Sequence, residues 1–374
     1  MSSDARSIAR IDLTALRHNA ARLDRAAGDA SLMAVVKADA YGHGAAECAR
    51  AALAGGAASL AVASVEEAEQ LRLAGLDDVT ILIMSPLTES ACTRAIRQRC
   101  EVAISDGAAL ERLMAGCADG DDAPRVHIEV DTGMGRLGVP TDAALALAES
   151  AADAGADVVG LMTHFATADT TEGPDAGFMR EQLVRFKALV PVFRERFPGI
   201  TVHAANSAGT LRDAGACLDM VRCGIALYGC SPFGGDPISD ELVPVMSWTS
   251  RLSLVKHFAS RESVGYGRTW RAARGTWIGT IPVGYADGFA RDLSNRGEVL
   301  VGGRRVPVVG TVSMDLITVD LGPEATERGG EEVVIIGPQG TDRITADEIA
   351  RLRGTIPYEV TCAVSPRVAR VHEG

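Results

Sequence analysis

The chain has 374 residues, 47% hydrophobic and 23% charged, and this composition excludes large-scale disorder. A formal net charge of -12 argues against nucleic-acid binding, and no apolar run approaches the roughly 20 residues of a membrane span. The N-terminal sequence lacks the apolar core of a signal peptide, and the 8 cysteines are scattered without a Cys-x-x-Cys pair, so we expect reduced thiols in a cytoplasmic protein and no metal site.

Strand-length apolar runs recur along the first part of the chain, and Ala-rich segments of helical period alternate with them. The runs are Leu32–Val36, Ser59–Ala63, Thr80–Met84, Glu101–Ile104, Val126–Val130, Val158–Thr163, Thr201–Ala205 and Asp219–Val221. The predicted helices include Val65–Ala74, Asp106–Cys117, Thr141–Ala154 and Asp175–Phe197. This alternation predicts a (β/α)8 TIM-type barrel over residues 8–235. A doubly wound open sheet is the alternative.

The pattern changes at residues 231–243, where Gly, Pro and Asp indicate a linker. Short strand candidates follow at Trp248–Val255, Trp277–Val283, Glu298–Val301, Val306–Val309, Ile317–Asp320 and Glu332–Ile336. One clear helix, Thr345–Leu352, interrupts them. The pattern predicts a mostly β domain over residues 236–374, with which the first few N-terminal residues can pack.

Lys37 ends the first apolar run, and the two glycines that follow permit a turn that brings Tyr41 over the barrel mouth. In a TIM barrel, the C-terminal ends of the strands open onto the active site. The other lysines of the chain, Lys187 and Lys256, lie in segments that resemble solvated faces. A partly desolvated amine with a lowered pKa suits a nucleophile, whereas a surface lysine that happens to end a strand is the other interpretation.

Residues 130–138 contain a Gly-x-Gly-x-x-Gly pattern, with Asp157 about 20 residues further on, as a dinucleotide site would require. In such a site the helix begins within the glycines, whereas here Val139 and Pro140 come first. The pattern also places Arg136 among the glycines. A flexible loop that presents Arg136 to an anion is therefore favoured over a nucleotide fingerprint.

Polar side chains follow three later strands of the predicted barrel. His164 follows the sixth strand, and Asn206 and Ser207 follow the seventh, where Ser207 is expected to cap a short helix and to offer its hydroxyl and amide to a phosphate. Arg222 and Gly224 repeat the arrangement at the eighth strand. Hydroxyls and amides after the seventh and eighth strands match the usual phosphate corner of such barrels.

Three Gly-flanked polar loops lie in the second predicted domain and carry Tyr266, Tyr285 and Met314 with Asp315. Ordinary hairpin turns with half-buried phenols are the simpler interpretation of these loops. From the loops alone, hairpin turns are favoured over a functional role.

Four segments together resemble the alanine racemases, a family of fold-type III pyridoxal-phosphate enzymes. They are residues 34–44 (AVVKADAYGHG), 131–136 (DTGMGR), 220–224 (MVRCG) and 284–288 (GYADG). The first segment is highly specific for attachment of pyridoxal 5'-phosphate, and the match runs in order through both predicted domains. The resemblance implies a homodimer with shared active sites that interconverts L-alanine and D-alanine and supplies D-alanine for peptidoglycan.

The resemblance also implies a role for each site residue. Lys37 would carry the cofactor as a Schiff base and act as the base on one face of the substrate, and Tyr266 of the partner subunit would be the base on the other face. Arg222 would lie against the pyridine nitrogen and disfavour its protonation. The remaining implied residues are Tyr41, Ser207, Gly224, Ile225 and Tyr358 at the phosphate; His164 and Asn206 beside Arg222 and the ring; Arg136 and the amide of Met314 at the substrate carboxylate; and Tyr285 and Asp315 at the shared entrance.

One position departs from the family pattern. Many members have a carbamylated lysine two residues before the Asp-Thr-Gly segment, and its negative charge steadies the arginine found here at position 136. This chain has Glu129 at that place. We expect Glu129 to supply the charge directly, without carbon dioxide.

Alternative functions stay open at this point. A broad-specificity or serine-preferring racemase would share these motifs, because no motif determines the width of the pocket. A decarboxylase on the same two-domain plan is less favoured, because the loops at Tyr266 and Met314 follow the racemase pattern. A non-catalytic pyridoxal-phosphate carrier, as among the single-barrel relatives, would lack the second domain.

Overall fold

A closed barrel of parallel strands forms the first part of the computed structural model, which describes residues 5–118 and 122–374. The strands of this part are β1 (Ser7–Asp12), β2 (Ser31–Val35), β3 (Ser59–Val62), β4 (Ile81–Ile83), β5 (Glu101–Ile104), β6 (Arg125–Asp131), β7 (Val139–Pro140), β8 (Asp157–Met162), β9 (Thr201–His203) and β10 (Met220–Cys223). The barrel order is β2-β3-β4-β5-β6-β8-β9-β10, and β10 pairs with β2 to close it. The predicted TIM-type barrel is confirmed, and the open sheet is excluded because the ring has no edge strand within the described residues.

Helices surround this barrel and follow its strands. They are α1 (Leu13–Ala27), α2 (Ala45–Ala54), α3 (Val65–Leu73), α4 (Glu89–Arg97), α5 (Gly107–Ala115), α6 (Ala144–Asp153), α7 (Phe178–Lys187), α8 (Val190–Arg196) and α9 (Ser207–Arg212). The single helix predicted over Asp175–Phe197 is wrong, since α7 and α8 are separate. Pro191 lies in the first turn of α8, where its missing N–H is tolerated but where it cannot continue a preceding helix.

The second part of the chain is mostly β, as predicted. Its strands are β11 (Met246–Arg251), β12 (Leu254–Phe258), β13 (Ser263–Val264), β14 (Trp270–Arg271), β15 (Thr276–Ile281), β16 (Glu298–Val301), β17 (Arg304–Pro307), β18 (Ile317–Gly322), β19 (Glu332–Gln339), β20 (Asp342–Ile344) and β21 (Ala369–Glu373). The larger sheet has the order β17-β16-β19-β11-β1-β21, and a smaller one has the order β12-β15-β18. The N-terminal strand β1 therefore belongs to the sheet of the second part, so the predicted barrel range, which starts at residue 8, begins inside it.

Two expectations for this part need correction. The strand predicted over Trp248–Val255 is two strands, because β11 pairs in the larger sheet and β12 pairs with β15 in the smaller one. The predicted helix is present as α10 (Ala346–Arg353), but a second helix, α11 (Pro357–Ala363), follows it. This second helix brings Tyr358 to the mouth of the barrel.

The two parts share one continuous apolar core, and a buried amide ties the connection between them to the barrel. The Asn19 side chain of α1 donates to the Leu227 carbonyl at 3.0 Å and to the Val243 carbonyl at 2.8 Å, and it accepts from the Val243 amide at 2.8 Å. The connection between the two parts is thereby held against α1. Within the ranges that the structure describes, no helix has the length and apolar character needed to cross a bilayer.

Candidate active site

A cavity of about 430 Å³ opens at the C-terminal ends of the barrel strands and collects most of the predicted site residues. Those that line it are Lys37, Tyr41, Glu129, Arg136, His164, Asn206, Ser207, Arg222, Gly224, Ile225 and Tyr358. The predicted residues of the second-domain loops are not among its described lining residues: Tyr266, Tyr285, Met314 and Asp315. The chain thus brings together one side of the expected site, and the loop residues lie elsewhere on its surface.

Lys37 follows the end of β2, and its partly buried side chain lines the cavity. Burial lowers the pKa of the Lys37 amine, and the nearby Arg136 cation acts in the same direction. The backbone beyond it is left-handed, with φ between 51° and 54° at residues 38–41. Such a conformation costs ~1–2 kcal/mol per non-glycine residue. The expected turn exists, but non-glycine residues form most of it, and Gly42 and Gly44 only complete it.

Side-chain carboxylates hold this left-handed turn. Glu67 accepts a hydrogen bond from the Ala38 amide at 2.6 Å through one oxygen and from the Ala63 amide at 2.7 Å through the other. Asp39 accepts from the Ala45 amide at 2.7 Å. Glu67 therefore links the turn after Lys37 to the end of β3. Sequence reasoning missed Glu67, although its place three residues after the capping Ser64 is a recognisable signal.

Tyr41 belongs to a cluster of aromatic rings at the wall of the cavity. Its ring centroid is 4.9 Å from that of Tyr228 and 5.8 Å from that of Tyr358. A Cβ added at Gly224 would lie 2.3 Å from the Tyr41 hydroxyl oxygen. Gly224 is thus required for the close approach of Tyr41 to the end of β10.

The loops after β9 and β10 meet at Ser207. Its hydroxyl accepts from the amide of Gly224 at 3.0 Å and from that of Ala226 at 3.4 Å. The expectation that Ser207 caps the short helix α9 is wrong, because Asn206 is the N-cap and accepts from the Gly209 amide at 3.0 Å. Asn206 suits this place because its short side chain reaches the third amide of the helix. The hydroxyl of Ser207 consequently faces the cavity corner rather than the helix end.

Arg222 is buried at the centre of the cavity floor, with 3% of its surface exposed. It donates to the Thr163 carbonyl at 2.8 Å, to His203 Nδ1 at 2.8 Å and to His164 Nδ1 at 3.3 Å. Burial lowers the pKa of Arg222 to about 10, so it stays cationic at neutral pH. Burial also lowers the pKa of His164 to about 3, and the neighbouring cations act in the same direction. Burial lowers the pKa of His203 well below its usual value as well, so both imidazoles are neutral acceptors.

Glu129 and Arg136 line the same cavity without a direct ion pair in the described structure. Glu129 is buried, and it accepts from the Ser105 hydroxyl at 2.8 Å. Burial raises the pKa of Glu129, whereas that hydrogen bond and the charges of Arg222 and Arg136 favour its ionised form. Arg136 is exposed on the loop after β6. Sequence reasoning missed Ser105 and offered no signal for it.

The second-domain loops form one exposed surface. The side chains of Tyr266, Tyr285 and Met314 are 74%, 43% and 52% exposed. The loops are joined to one another, since Thr311 donates to the Tyr266 carbonyl at 2.9 Å and the Ala286 amide donates to the Met314 carbonyl at 3.1 Å. Exposed tyrosine and methionine side chains are enriched at protein–protein interfaces.

The fold and the cavity define an enzyme with its reactive groups at the C-terminal mouth of a TIM barrel, built around a lysine of lowered pKa. Residues 11–232 match the family model described as "Alanine racemase, N-terminal domain", and residues 245–372 match "Alanine racemase, C-terminal domain". The chain belongs to the alanine racemase family. It is accordingly an enzyme of the isomerase class.

Individual relatives agree over the full length of the chain. An alanine racemase of Symbiobacterium thermophilum is 42% identical over 369 residues, which cover 98% of this chain and 97% of that protein. The crystal structure of alanine racemase from the D-cycloserine producer Streptomyces lavendulae has a TM-score of 0.94 at 36% identity and covers 100% of this chain and 98% of its own. Alanine racemase from Bartonella henselae, with covalently bound pyridoxal phosphate, has a TM-score of 0.87 at 29% identity, with coverages of 99% and 100%.

Proposed function

We propose that this protein is a pyridoxal-phosphate-dependent alanine racemase that interconverts L-alanine and D-alanine with two bases, Lys37 and Tyr266 of the partner subunit. Inverting a carbon centre requires that a proton leave one face and that a proton return to the other. The observation that carries the proposal is the lowered pKa of the Lys37 amine at the barrel mouth, in a chain of the alanine racemase family. One relative, from Bartonella henselae, has pyridoxal phosphate covalently bound.

The residues of the cavity fit this cofactor. Lys37 offers a partly desolvated amine at one end, and the absence of a side chain at Gly224 lets the Tyr41 hydroxyl approach the end of β10. When bound, pyridoxal phosphate withdraws electrons from the substrate α-carbon and so weakens its C–H bond. The residues that we assign to the phosphate are Tyr41, Ser207, Gly224, Ile225 and Tyr358.

The chain's own groups then bind, orient and move protons. Burial favours the neutral form of Lys37, which lets its Nζ hold the cofactor and exchange the proton on one face of the α-carbon. Arg222 presents only N–H donors, so no proton is favoured on the ring nitrogen that it faces. Arg136 and the amide of the partner subunit's Met314 orient the substrate carboxylate. His164 and Asn206 support Arg222 and the ring. Tyr285 and Asp315 line the entrance.

A homodimer with shared active sites follows from the proposed roles. Tyr266 is an exposed side chain outside the cavity of its own chain. The partner's Tyr266 would complete the cavity that contains Lys37. We place the boundary between the two domains at residues 235 and 236.

The cellular role that we propose is supply of D-alanine for peptidoglycan in the cytoplasm. Cys48, Cys223 and Cys230 are buried thiols, and a reducing compartment keeps cysteines in that form. This part of the proposal predicts that loss of the protein makes growth depend on added D-alanine.

The test of the proposed activity is the decay of the circular dichroism signal of single enantiomers over a panel of amino acids. We expect L-alanine and D-alanine to reach the same end point and to have the highest kcat/KM. A higher value for serine would favour the serine-preferring racemase, and bound cofactor without turnover would favour the carrier.

Replacing Gly224 by Ala is expected to weaken cofactor binding by at least about tenfold, because the new methyl group would displace the Tyr41 hydroxyl from its place. The measurement is titration of the cofactor-free protein with pyridoxal phosphate, followed by absorbance. Gly107→Ala is a matched control, since a Cβ at that position meets no atom within 4 Å and the backbone there is not left-handed. Equal affinities of the two variants for pyridoxal phosphate would contradict the assignment of Tyr41 and Gly224 to the phosphate site.

Replacing Glu129 by Gln is expected to raise the KM for alanine about tenfold with a smaller change in kcat, because Arg136 loses a nearby negative charge. Since burial raises the pKa of Glu129, its charge in the wild type disappears as the pH falls through that raised value. The wild-type KM should therefore rise toward acid pH, and the variant's KM should stay high at every pH.

Glu129→Lys should make activity depend on bicarbonate. If Glu129→Gln leaves KM and kcat unchanged, the hypothesis is wrong.

A further inference from the structure

A chain of buried hydrogen bonds connects Arg222 with the far end of the barrel. Arg222 Nη1 lies 2.8 Å from His203 Nδ1, and His203 Nε2 lies 2.8 Å from His127 Nδ1. His127 Nε2 lies 2.7 Å from Oε2 of Glu101, the first residue of β5. The other oxygen of Glu101 pairs with Arg125 at 2.9 Å, and this arginine is half exposed on the face opposite the cavity. The four inner members are between 0% and 6% exposed.

The two ends of this chain determine the direction of every bond in it. A guanidinium can only donate, so His203 Nδ1 must be an unprotonated acceptor, and the proton of this neutral imidazole lies on Nε2. That N–H donates to His127 Nδ1, which must also be unprotonated, so the His127 proton lies on Nε2. The carboxylate of Glu101 can only accept, and it receives this last proton. A cationic His127 would place two N–H groups against each other.

We propose that His203, His127 and Glu101 are positioning residues that act through Arg222. The carboxylate at the far end of the barrel keeps both imidazoles in one tautomer, and the unprotonated nitrogen of His203 keeps the guanidinium in its place. The inference rests on the proposed function, in which Arg222 faces the cofactor ring. It assigns a role in the reaction to Glu101, at the barrel face where strand ends ordinarily serve stability.

A glycine in the barrel wall gives independent support for this chain of hydrogen bonds. A Cβ added at Gly160 of β8 would lie 1.9 Å from His127 Nδ1 and 2.4 Å from its Cγ. The His127 ring therefore occupies the space that a side chain at position 160 would take. The absence of a side chain there lets His127 meet His203 inside the barrel.

Balance of charge supports the same arrangement. Burial by itself would raise the pKa of Glu101, but the hydrogen bond from His127 and the charges beside the carboxylate outweigh it and lower that pKa. Burial lowers the pKa of His203 well below its usual value, so this ring stays neutral beside the Arg222 cation. The charges at the two ends are opposite, and the two rings between them are neutral.

Loss of the acceptor at position 101 should reverse the direction of the hydrogen bond between His127 and His203. Without this acceptor, the buried Nε2–H of His127 has no hydrogen-bond partner. If the proton moves to Nδ1, the ring can instead donate to His203 Nε2. His203 must then accept at Nε2 and carry its proton on Nδ1, where it opposes the Arg222 donor. Arg222 would have to leave its place at the cavity floor.

The first test is nitrogen NMR of the histidine side chains in the cofactor-loaded wild type. The sequence has 7 histidines, so His127 and His203 can be assigned with single His→Gln variants. We expect both rings to be neutral with the proton on Nε2. A proton on Nδ1 in either ring, or a cationic His127, would overturn the proposal. This result does not depend on turnover, so a protein without racemase activity but with these tautomers would refute only the proposed function.

The second test compares Glu101→Gln, which keeps an acceptor of the same shape, with Glu101→Leu, which removes it. We expect the Gln variant to retain both tautomers and to lie within about twofold of the wild-type kcat. We expect the Leu variant to lose the His127 Nε2–H signal and at least about tenfold in kcat, with a smaller change in KM. Equal kcat values for all three proteins would overturn the proposal. If the Leu variant does not fold, a tenfold loss in the folded Gln variant with its tautomers unchanged would overturn it equally.

Discussion

Replacing Lys37 by Ala is expected to abolish racemisation, with a fall in kcat/KM of at least about 10⁴-fold, because one amine provides both the cofactor attachment and one of the two proton transfers. The measurement is the decay of the circular dichroism signal of L-alanine and of D-alanine, each as the starting material. Borohydride reduction followed by peptide mass spectrometry should find the cofactor on the Lys37 peptide of the wild type and on no peptide of the variant.

Lys187→Ala is the matched control for this experiment, since it makes the same chemical change at an exposed position that ends α7. We expect its activity to lie within about twofold of the wild type. Substantial turnover by Lys37→Ala, or covalent cofactor on another lysine, would contradict the assignment of Lys37.

Replacing Tyr266 by Phe is expected to lower kcat by about 10²–10⁴-fold in both directions, because the base on the second face of the substrate is lost. The fold should be unaffected, since the Tyr266 side chain is 74% exposed and, among the described residues of its own chain, only its carbonyl is hydrogen-bonded. Thermal unfolding of the variant provides the control for stability.

Hydrogen exchange separates this role of Tyr266 from a general loss of activity. In heavy water, a site that retains Lys37 alone should still exchange the α-proton of one alanine enantiomer without inverting it. The α-proton of the other enantiomer should stay in place. Exchange lost for both enantiomers, or unchanged for both, would show that Tyr266 is not the second base.

The barrel could be predicted from the sequence because each of its strands is an apolar run, bounded by residues that favour turns. The errors occurred where tertiary contacts decide. Pro191 divides the predicted helix of residues 175–197, and the segment 248–255 divides because β11 and β12 pair in different sheets. The strand Ser7–Asp12 joins a sheet whose other members lie more than 200 residues away, and no local pattern predicts that.

The site could be predicted as far as strand ends and family motifs identify it, which includes Lys37, Ser207 and Arg222. His203 and His127 were missed because each lies inside a strand-length run and not at its C-terminal end, where the site residues were sought. Their signal is that an inward-facing polar residue in a barrel strand must find a partner across the barrel. Glu67 was missed because its second role, holding the turn after Lys37, depends on a contact between separate βα units.

The left-handed turn of residues 38–41 also lies beyond local prediction. Alanine and tyrosine do not favour positive φ, and the conformation persists because Glu67 and Asp39 bind its amides and those of the next helix. It brings the buried Tyr41 ring against Tyr228 and Gly224, at the corner that we assign to the phosphate.

Mixing the two inactive variants tests most directly whether each active centre draws on two chains. Lys37→Ala and Tyr266→Phe are unfolded together, refolded as a one-to-one mixture and assayed against each variant refolded alone. If Lys37 of one chain works with the partner's Tyr266, each mixed dimer contains one intact centre, and the mixture should recover about a quarter of the wild-type activity. If both groups came from one chain, no intact centre would form, and a mixture as inactive as its components would contradict the account.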